Sequence, residues 1–129
     1  MVFIFFIQKT YLKLKIFFMI KEKNQELINA LNRCAAACNY CANACLNETE
    51  VDKMKDCIRL DMDCAAICNL LASFVARESI HAQHLLSECA EICETCATEC
   101  EKHSHMDHCR ICAEACRHCA EMCSEPAVF

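Results

Sequence analysis

Glycine is absent from this chain of 129 residues, and the only proline is Pro126. These two residues interrupt helices more often than any others, so nothing before Pro126 breaks a long helix. Alanine, glutamate, leucine and lysine, which all favour helix, fill many of the remaining positions. The composition therefore predicts an all-α fold.

No signal peptide with a small-residue cleavage site is visible in the sequence, and no twin arginine occurs in it. Its sixteen cysteines reach an abundance that is typical of secreted disulfide scaffolds, but such scaffolds are rich in loops and rarely lack glycine. Thiols at positions i and i+4 of a helix project in parallel, a geometry that disulfides do not prefer. We therefore expect a reduced, cytoplasmic protein.

The cysteines are spaced three and four residues apart. Such steps return to one face of a helix, so each run forms a single stripe of thiols. There are four stripes: Cys34, Cys38, Cys41 and Cys45; Cys57, Cys64 and Cys68; Cys89, Cys93, Cys96 and Cys100; and Cys109, Cys112, Cys116, Cys119 and Cys123. They predict four helices, at about 23–46, 51–76, 79–102 and 106–124.

The two halves of the chain repeat each other. An offset of 55 residues, from Cys34 to Cys89, brings seven cysteines of each half into register. The register breaks at two places, where Cys109 matches Met54 and Cys116 matches Asp61. We predict an antiparallel four-helix bundle formed from a duplicated helical hairpin, with one cysteine-lined core within residues 21–129.

A core of cysteine and alanine buries less apolar area than one of leucine and phenylalanine, which indicates that these positions bind a ligand. Thiolates are soft ligands that select Cu(I), Zn(II) or iron–sulfur clusters. Ferredoxins hold clusters in loops, often with a proline after the last cysteine, and zinc prefers closed sets of four ligands. Parallel ladders of thiols suit Cu(I) ions that are bridged from thiolate to thiolate.

If each copper took two thiolates and each thiolate bridged two coppers, the capacity would be on the order of one ion per cysteine. Such a capacity indicates storage or sequestration and not an enzyme. A zinc-thiolate buffer, or an iron–sulfur redox protein of the ferredoxin type, remains the alternative.

The repeated motifs CAAACNYCANAC and CAEICETCATEC, with CIRLDMDCAAIC and CRICAEACRHCAEMC, resemble those of the bacterial copper storage proteins. The resemblance covers about residues 22–124. It implies a four-helix bundle whose core holds many Cu(I) ions, usually as a homotetramer, and partners that donate or accept copper. One branch of that family is exported with a twin-arginine signal, and this sequence is similar to the other, cytosolic branch.

The histidines distinguish one end of the bundle from the other. His103 lies three residues after Cys100, while His105 and His108 precede Cys109 and Cys112 by four, so they extend the thiol stripes. We therefore add four residues to the sixteen cysteines as metal ligands, namely His103, His105, His108 and Met54. Met106 is a further, accessory candidate. Cu(I) would enter at this end, which we call the histidine end; the alternative is that HSHMDH is only a solvated loop.

Leucines and other apolar residues are expected to close the opposite, apolar end, namely Leu27, Leu31, Leu71, Phe74, Val75, Leu85 and Leu86. Asp61 lies on the stripe of Cys57 and Cys64 and should face the core. An unpaired carboxylate there is costly, so we expect Asp61 either to form hydrogen bonds with thiols or water or to lie close to bound metal.

The polar residues outside the stripes are expected at the surface, and they are His81, His84, His118, Arg59, Arg110 and Arg117. The alternative for the last four is that they form contacts between subunits. Glu78 and His81 form a single E-x-x-H motif, whereas a di-iron bundle needs two such motifs.

Residues 1–20 form an apolar extension that Lys9, Lys13 and Lys15 interrupt. It could be a membrane anchor, a degenerate export signal, or translated sequence upstream of a start at Met19, and we favour the last. The run is too broken to predict a membrane-spanning helix. Without it the net charge is −8, which argues against nucleic acid as a partner and favours the approach of cations.

Overall fold

The computed structural model describes residues 1–125, so Pro126 lies outside the described part of the chain. It contains four α-helices: α1 (Val2–Leu46), α2 (Lys55–Ala76), α3 (Ala82–Glu101) and α4 (Asp107–Ser124). Each helix packs against the next, and α1 packs against α4, so that α1 lies diagonally from α3 and α2 from α4. The predicted antiparallel four-helix bundle is confirmed.

The diagonal arrangement follows from the sequence repeat. The 55-residue offset relates α1 to α3 and α2 to α4, which places an approximate twofold axis along the bundle. The connections α1–α2 and α3–α4 therefore lie together at the histidine end, and the connection α2–α3 lies at the apolar end. The two halves provide equivalent positions around one core.

The starts of α2 and α3 differ from the prediction. Residues Val51–Met54 form a 3₁₀ turn, so α2 begins at Lys55 and not at residue 51. The helix α3 begins at Ala82 and not at residue 79, because the connection after α2 is built as a longer turn.

That turn is a Schellman motif, which ends α2. The Ser79 amide donates to the carbonyl of Phe74 and the Glu78 amide donates to that of Val75, both at 3.0 Å. Glu78 has a φ of 54°, a left-handed conformation that glycine adopts most easily, but this chain has no glycine to place there. The Glu78 carboxylate forms an ion pair with Lys21 of α1, which ties the turn to the bundle.

The helix α1 is much longer than predicted, since it begins at Val2 and not near residue 23. Neither glycine nor proline interrupts the extension, so the helical backbone continues through it. Residues 1–19 are all exposed, including Phe3, Phe6 and Phe17, so this segment projects beyond the bundle as an arm. Within residues 1–125, neither α1 nor any other helix has the length and apolarity needed to cross a membrane.

The core has one composition along most of its length and another at the apolar end. All sixteen cysteines are buried, with alanines such as Ala35, Ala65 and Ala97 packed between them. Five buried residues close the apolar end, namely Leu27, Leu31, Leu71, Val75 and Leu86. Phe74 and Leu85 are half-buried and pack against them. The core is therefore lined with thiols from the histidine end down to a cap of aliphatic side chains.

Candidate metal centre

The thiol stripes of the four helices face one another across the bundle axis. All sixteen cysteines are free thiols, and none is more than 4% exposed. The sulfur atoms of Cys57 and Cys100 lie 3.5 Å apart, those of Cys64 and Cys93 3.6 Å, and those of Cys68 and Cys119 3.9 Å. Each of these pairs joins two different helices, so the sulfur atoms form one connected column.

Within this column, sets of four ligand atoms lie within 4.8 Å of one another. The all-cysteine sets include Cys34, Cys64, Cys68 and Cys93; Cys34, Cys38, Cys64 and Cys116; Cys38, Cys96, Cys112 and Cys116; and Cys68, Cys89, Cys93 and Cys119. Several cysteines, such as Cys34 and Cys116, belong to two sets. A shared thiolate can bridge two metal ions, so the geometry is a continuous ladder.

Asp61 interrupts this ladder in the layer where the repeat would have a thiol. It is fully buried, and its Oδ1 accepts hydrogen bonds from Cys96 at 3.2 Å, Cys112 at 3.3 Å and Cys100 at 3.5 Å. Of the two alternatives that the sequence left open, the structure shows hydrogen bonding to thiols. The carboxyl group connects thiols of α3 and α4 to α2.

Burial raises the pKa of Asp61 to about 9, because a charged carboxylate loses its hydration in the core and because the negative charges of Cys112 and Cys57 would repel it. At neutral pH Asp61 is therefore a neutral carboxylic acid. It adds no charge to the metal-free core.

Burial acts in the same direction on the thiols, because it disfavours the charged thiolate form. Burial raises the pKa of Cys45, and the charges of Cys57 and Cys109 raise it further. A metal ion that binds thiolates must therefore displace protons from this core.

The structure brings only some of the predicted residues of the histidine end to the thiols. Met54 is buried in the core, and His108 is half-buried beside the sulfur atoms. His103 is half-buried with its Nε2 atom 3.5 Å from the Glu99 carboxylate, and Met106 is half-buried on the core surface. His105 is exposed, and among the described residues no hydrogen bond joins it to a thiol.

His108 forms a compact cluster with three cysteines, which we call the Cys3His cluster: Cys41, Cys45, Cys109 and His108. The Nδ1 atom of His108 lies 3.4 Å from the sulfur of Cys109, 3.6 Å from that of Cys41 and 3.8 Å from that of Cys45. The sulfur–sulfur separations are 3.8 Å for Cys41 and Cys45, 3.9 Å for Cys41 and Cys109, and 4.0 Å for Cys45 and Cys109.

Glu48 completes this cluster, and the sequence interpretation did not assign it a role. The Nε2 atom of His108 donates a hydrogen bond of 3.0 Å to Oε1 of Glu48. A signal was present, because Glu48 follows Cys45 by three residues, as His103 follows Cys100. The partner of Glu48 lies on another helix, and the spacing within α1 does not reveal it.

The other polar residues lie outside the core, as expected. His81, His84 and His118 are exposed, and so are Arg59 and Arg110. A 2.8 Å ion pair links Arg117 to Glu101, between α4 and α3. Exposed pairs of this kind contribute little to stability.

The comparisons with known proteins agree with this geometry. The chain is 42% identical to the uncharacterized cysteine-rich protein YhjQ of Bacillus subtilis, over 74% of this chain and 88% of that protein. The structure of Cu(I)-bound copper storage protein BsCsp3 is 42% identical, with a TM-score of 0.75 over 78% of this chain and 94% of that one.

A cytosolic copper storage protein from Streptomyces lividans, described with five coppers, is 41% identical, with a TM-score of 0.78 over 81% of this chain and 92% of that one. The sequence model of the copper storage proteins matches residues 20–128. The chain therefore belongs to the copper storage protein family.

Proposed function

We propose that this protein stores Cu(I), holding many ions along the thiol column of its bundle. The observation that carries the proposal is the overlap between the sets of four cysteines, which we call the cysteine quartets. One thiolate belongs to two neighbouring quartets. Low-coordinate Cu(I) is suited to such sharing, because bridged ions can follow one another along the column. The capacity would be on the order of one ion per cysteine.

The chemistry of loading follows from the protonation state of the empty core. Each Cu(I) ion that enters takes the place of thiol protons, so loading converts a hydrogen-bonded thiol core into a metal–thiolate one. The overlapping sets of cysteines support storage as the role of the protein.

The alternatives fit the column less well. Zinc prefers closed sets of four ligands that belong to one ion, whereas the quartets here share members. Iron–sulfur clusters are usually held by cysteines in loops, whereas these cysteines lie on continuous helices. Visible absorption distinguishes iron–sulfur clusters, which are coloured, from Cu(I) thiolates, which are not.

The test is an anaerobic titration of the reduced, metal-free protein with Cu(I) in the presence of a chromogenic Cu(I) chelator. We expect the chelator to remain uncoloured until the bound copper approaches the thiol count, on the order of one ion per cysteine. Saturation after only a few ions would overturn the storage proposal and would favour discrete sites.

We also propose that Cu(I) enters at the histidine end. His108 lies beside three thiols, Met54 is buried at the same end, and the aliphatic cap closes the other end. His103 and the exposed His105 would act as earlier contacts for the ion, with Met106 as an accessory.

Replacing His103, His105 and His108 by alanine should slow copper loading in stopped-flow measurements without lowering the final copper count. A matched control replaces the exposed His81, His84 and His118, and it should load at the wild-type rate. Equal rates for the two triple variants would contradict entry at the histidine end.

The setting of the protein is proposed from its family. We propose that residues 21–129 form the copper-binding domain, that it assembles as a homotetramer in the cytoplasm, and that it exchanges copper with donor or acceptor proteins. Neither nucleic acid nor a membrane is among the proposed partners. Sedimentation equilibrium of the metal-free and copper-loaded protein measures the assembly, and a monomer in both states would contradict the tetramer.

A further inference from the structure

We propose that the Cys3His cluster, at the histidine end of the thiol column, is a binding site for a single Zn(II) ion. Three thiolates and one imidazole are a ligand set that structural zinc sites use. The four atoms come from two helices, with Cys41 and Cys45 on α1 and His108 and Cys109 on α4. This inference rests on the geometry of the cluster and stands whether or not the column stores copper.

The six separations among the four ligand atoms match a zinc tetrahedron. With Zn–S bonds of about 2.3 Å and a Zn–N bond of about 2.0 Å, ideal geometry places two sulfurs about 3.8 Å apart and a sulfur and the nitrogen about 3.5 Å apart. The structure has sulfur–sulfur separations of 3.8, 3.9 and 4.0 Å, and sulfur–nitrogen separations of 3.4, 3.6 and 3.8 Å. The ligands therefore need little rearrangement to bind the ion.

Glu48 provides the outer support that zinc-bound histidines usually have. Its carboxylate accepts the hydrogen of Nε2, which leaves the lone pair of Nδ1 directed toward the three sulfurs. Such a carboxylate orients the imidazole and strengthens it as a ligand. Glu48 is a positioning residue in this site, because it acts on the metal only through His108.

The approximate twofold axis shows why the equivalent position in the other half does not repeat this site. Repeating the cluster in the other half would place Cys96 and Cys100 where Cys41 and Cys45 lie, but Met54 replaces Cys109 and Lys53 replaces His108. The related position therefore lacks two of the four ligands. His103, which corresponds to Glu48, follows α3 and contacts Glu99 in the last turn of that helix instead.

Zinc in this cluster would join the end of α1 to the start of α4. The ion would lie at the end of the thiol column where His108 separates the core from solvent, since the His108 side chain is only 12% exposed. Bound zinc would therefore hold the histidine end closed, and copper would have to displace it to use these three thiols. Binding would release about three protons, one from each neutral thiol.

The test is a titration of the reduced, copper-free full-length protein with ZnCl2 against a chromogenic zinc chelator, under anaerobic conditions. We expect the first equivalent to bind more tightly than any later one. CoCl2 provides a second readout, because one equivalent of tetrahedral Co(II) should give visible bands together with thiolate-to-cobalt charge transfer.

Two variants locate the ion. His108→Ala removes a ligand and should weaken the first equivalent at least tenfold and alter the Co(II) spectrum. Glu48→Gln keeps every ligand but removes the carboxylate, and it should weaken binding by about 10–100-fold while the Co(II) spectrum stays tetrahedral. The matched control is His118→Ala, because His118 is exposed on the same helix. Circular dichroism verifies that each variant is folded.

Zinc affinity unchanged in His108→Ala, or several equivalents of equal affinity, would overturn the inference and would place zinc among the cysteine quartets. The absence of any tightly bound equivalent would overturn it as well. Copper capacity, measured separately on the wild-type protein, tests the storage proposal and not this one. The failure of either can therefore be distinguished from the failure of the other.

Discussion

Replacing Asp61 by asparagine should change how the stability of the metal-free protein depends on pH. Asp61 has a pKa of about 9 in the folded protein, compared with 3.8 for the unperturbed group. Folding therefore requires this carboxyl to take up a proton at neutral pH. The contribution of Asp61 to the free energy of unfolding is most favourable below about pH 4, and it is lost progressively as the pH rises toward 9. An asparagine side chain has no such dependence.

The size of the effect follows from the same two pKa values. Each pH unit above the unfolded pKa of 3.8 is worth about 1.4 kcal/mol. Relative to a pH below 4, Asp61 therefore lowers the free energy of unfolding by about 4 kcal/mol at pH 7 and by about 7 kcal/mol at pH 9. The asparagine amide keeps an oxygen that can accept hydrogen bonds from Cys96, Cys100 and Cys112. Its buried NH2 group can cost about 1–3 kcal/mol, but this cost is independent of pH.

The assay is guanidinium unfolding followed by circular dichroism, from pH 4 to pH 9, on reduced and metal-free protein. The free energy of unfolding of Asp61→Asn minus that of the wild type should rise by about 1.4 kcal/mol per pH unit across this range. The thiols are present in both proteins, so the part of their titration that does not depend on Asp61 cancels in the difference. A difference that stays flat with pH would refute the reasoning, whatever its absolute value.

Three further predictions concern other parts of the molecule. Leu31→Ala, at a fully buried position of the apolar end, should lower the free energy of unfolding by about 3 kcal/mol and leave the copper count unchanged, as denaturant unfolding and copper titration would measure. A chain that begins at residue 21 should bind as much Cu(I) as the full chain, because residues 1–19 are exposed and contribute no thiol; a lower count in the chelator titration would contradict this. Cu(I) affinity should fall as the pH is lowered from 7.5 to 5.5, because burial raises the pKa of Cys45 and protons compete with the metal. Competition titrations at the two pH values measure it, and equal affinities would contradict the displacement of thiol protons by the metal.

The spacing of the cysteines was sufficient to predict the architecture. Each step of three or four residues places a thiol on the buried face, and all sixteen cysteines are buried. The same rule predicted that Asp61, on the stripe of Cys57 and Cys64, would face the core. These predictions succeeded because they depend only on periodicity within a single helix.

The features that the sequence did not predict depend on contacts between helices or on local exceptions. The hydrogen bond between Glu48 and His108 requires the register of α1 against α4, which no spacing within one helix determines. The turn at Glu78 uses a left-handed residue other than glycine, so the usual signal for the end of a helix is missing. The start of α1 was placed too late, because a change of composition at residue 20 does not stop a helical backbone.

The arm of α1 and the histidine end lie at opposite ends of the molecule. At 1.5 Å per residue, α1 is about 68 Å long, about twice the length of α2, and the excess extends from the apolar end. An attachment through the arm would therefore leave the opposite end, with Glu48 and His108, facing outward and unobstructed. A label or a surface attached near residue 3 would lie far from the thiols. Metal exchange at the histidine end would therefore proceed unhindered.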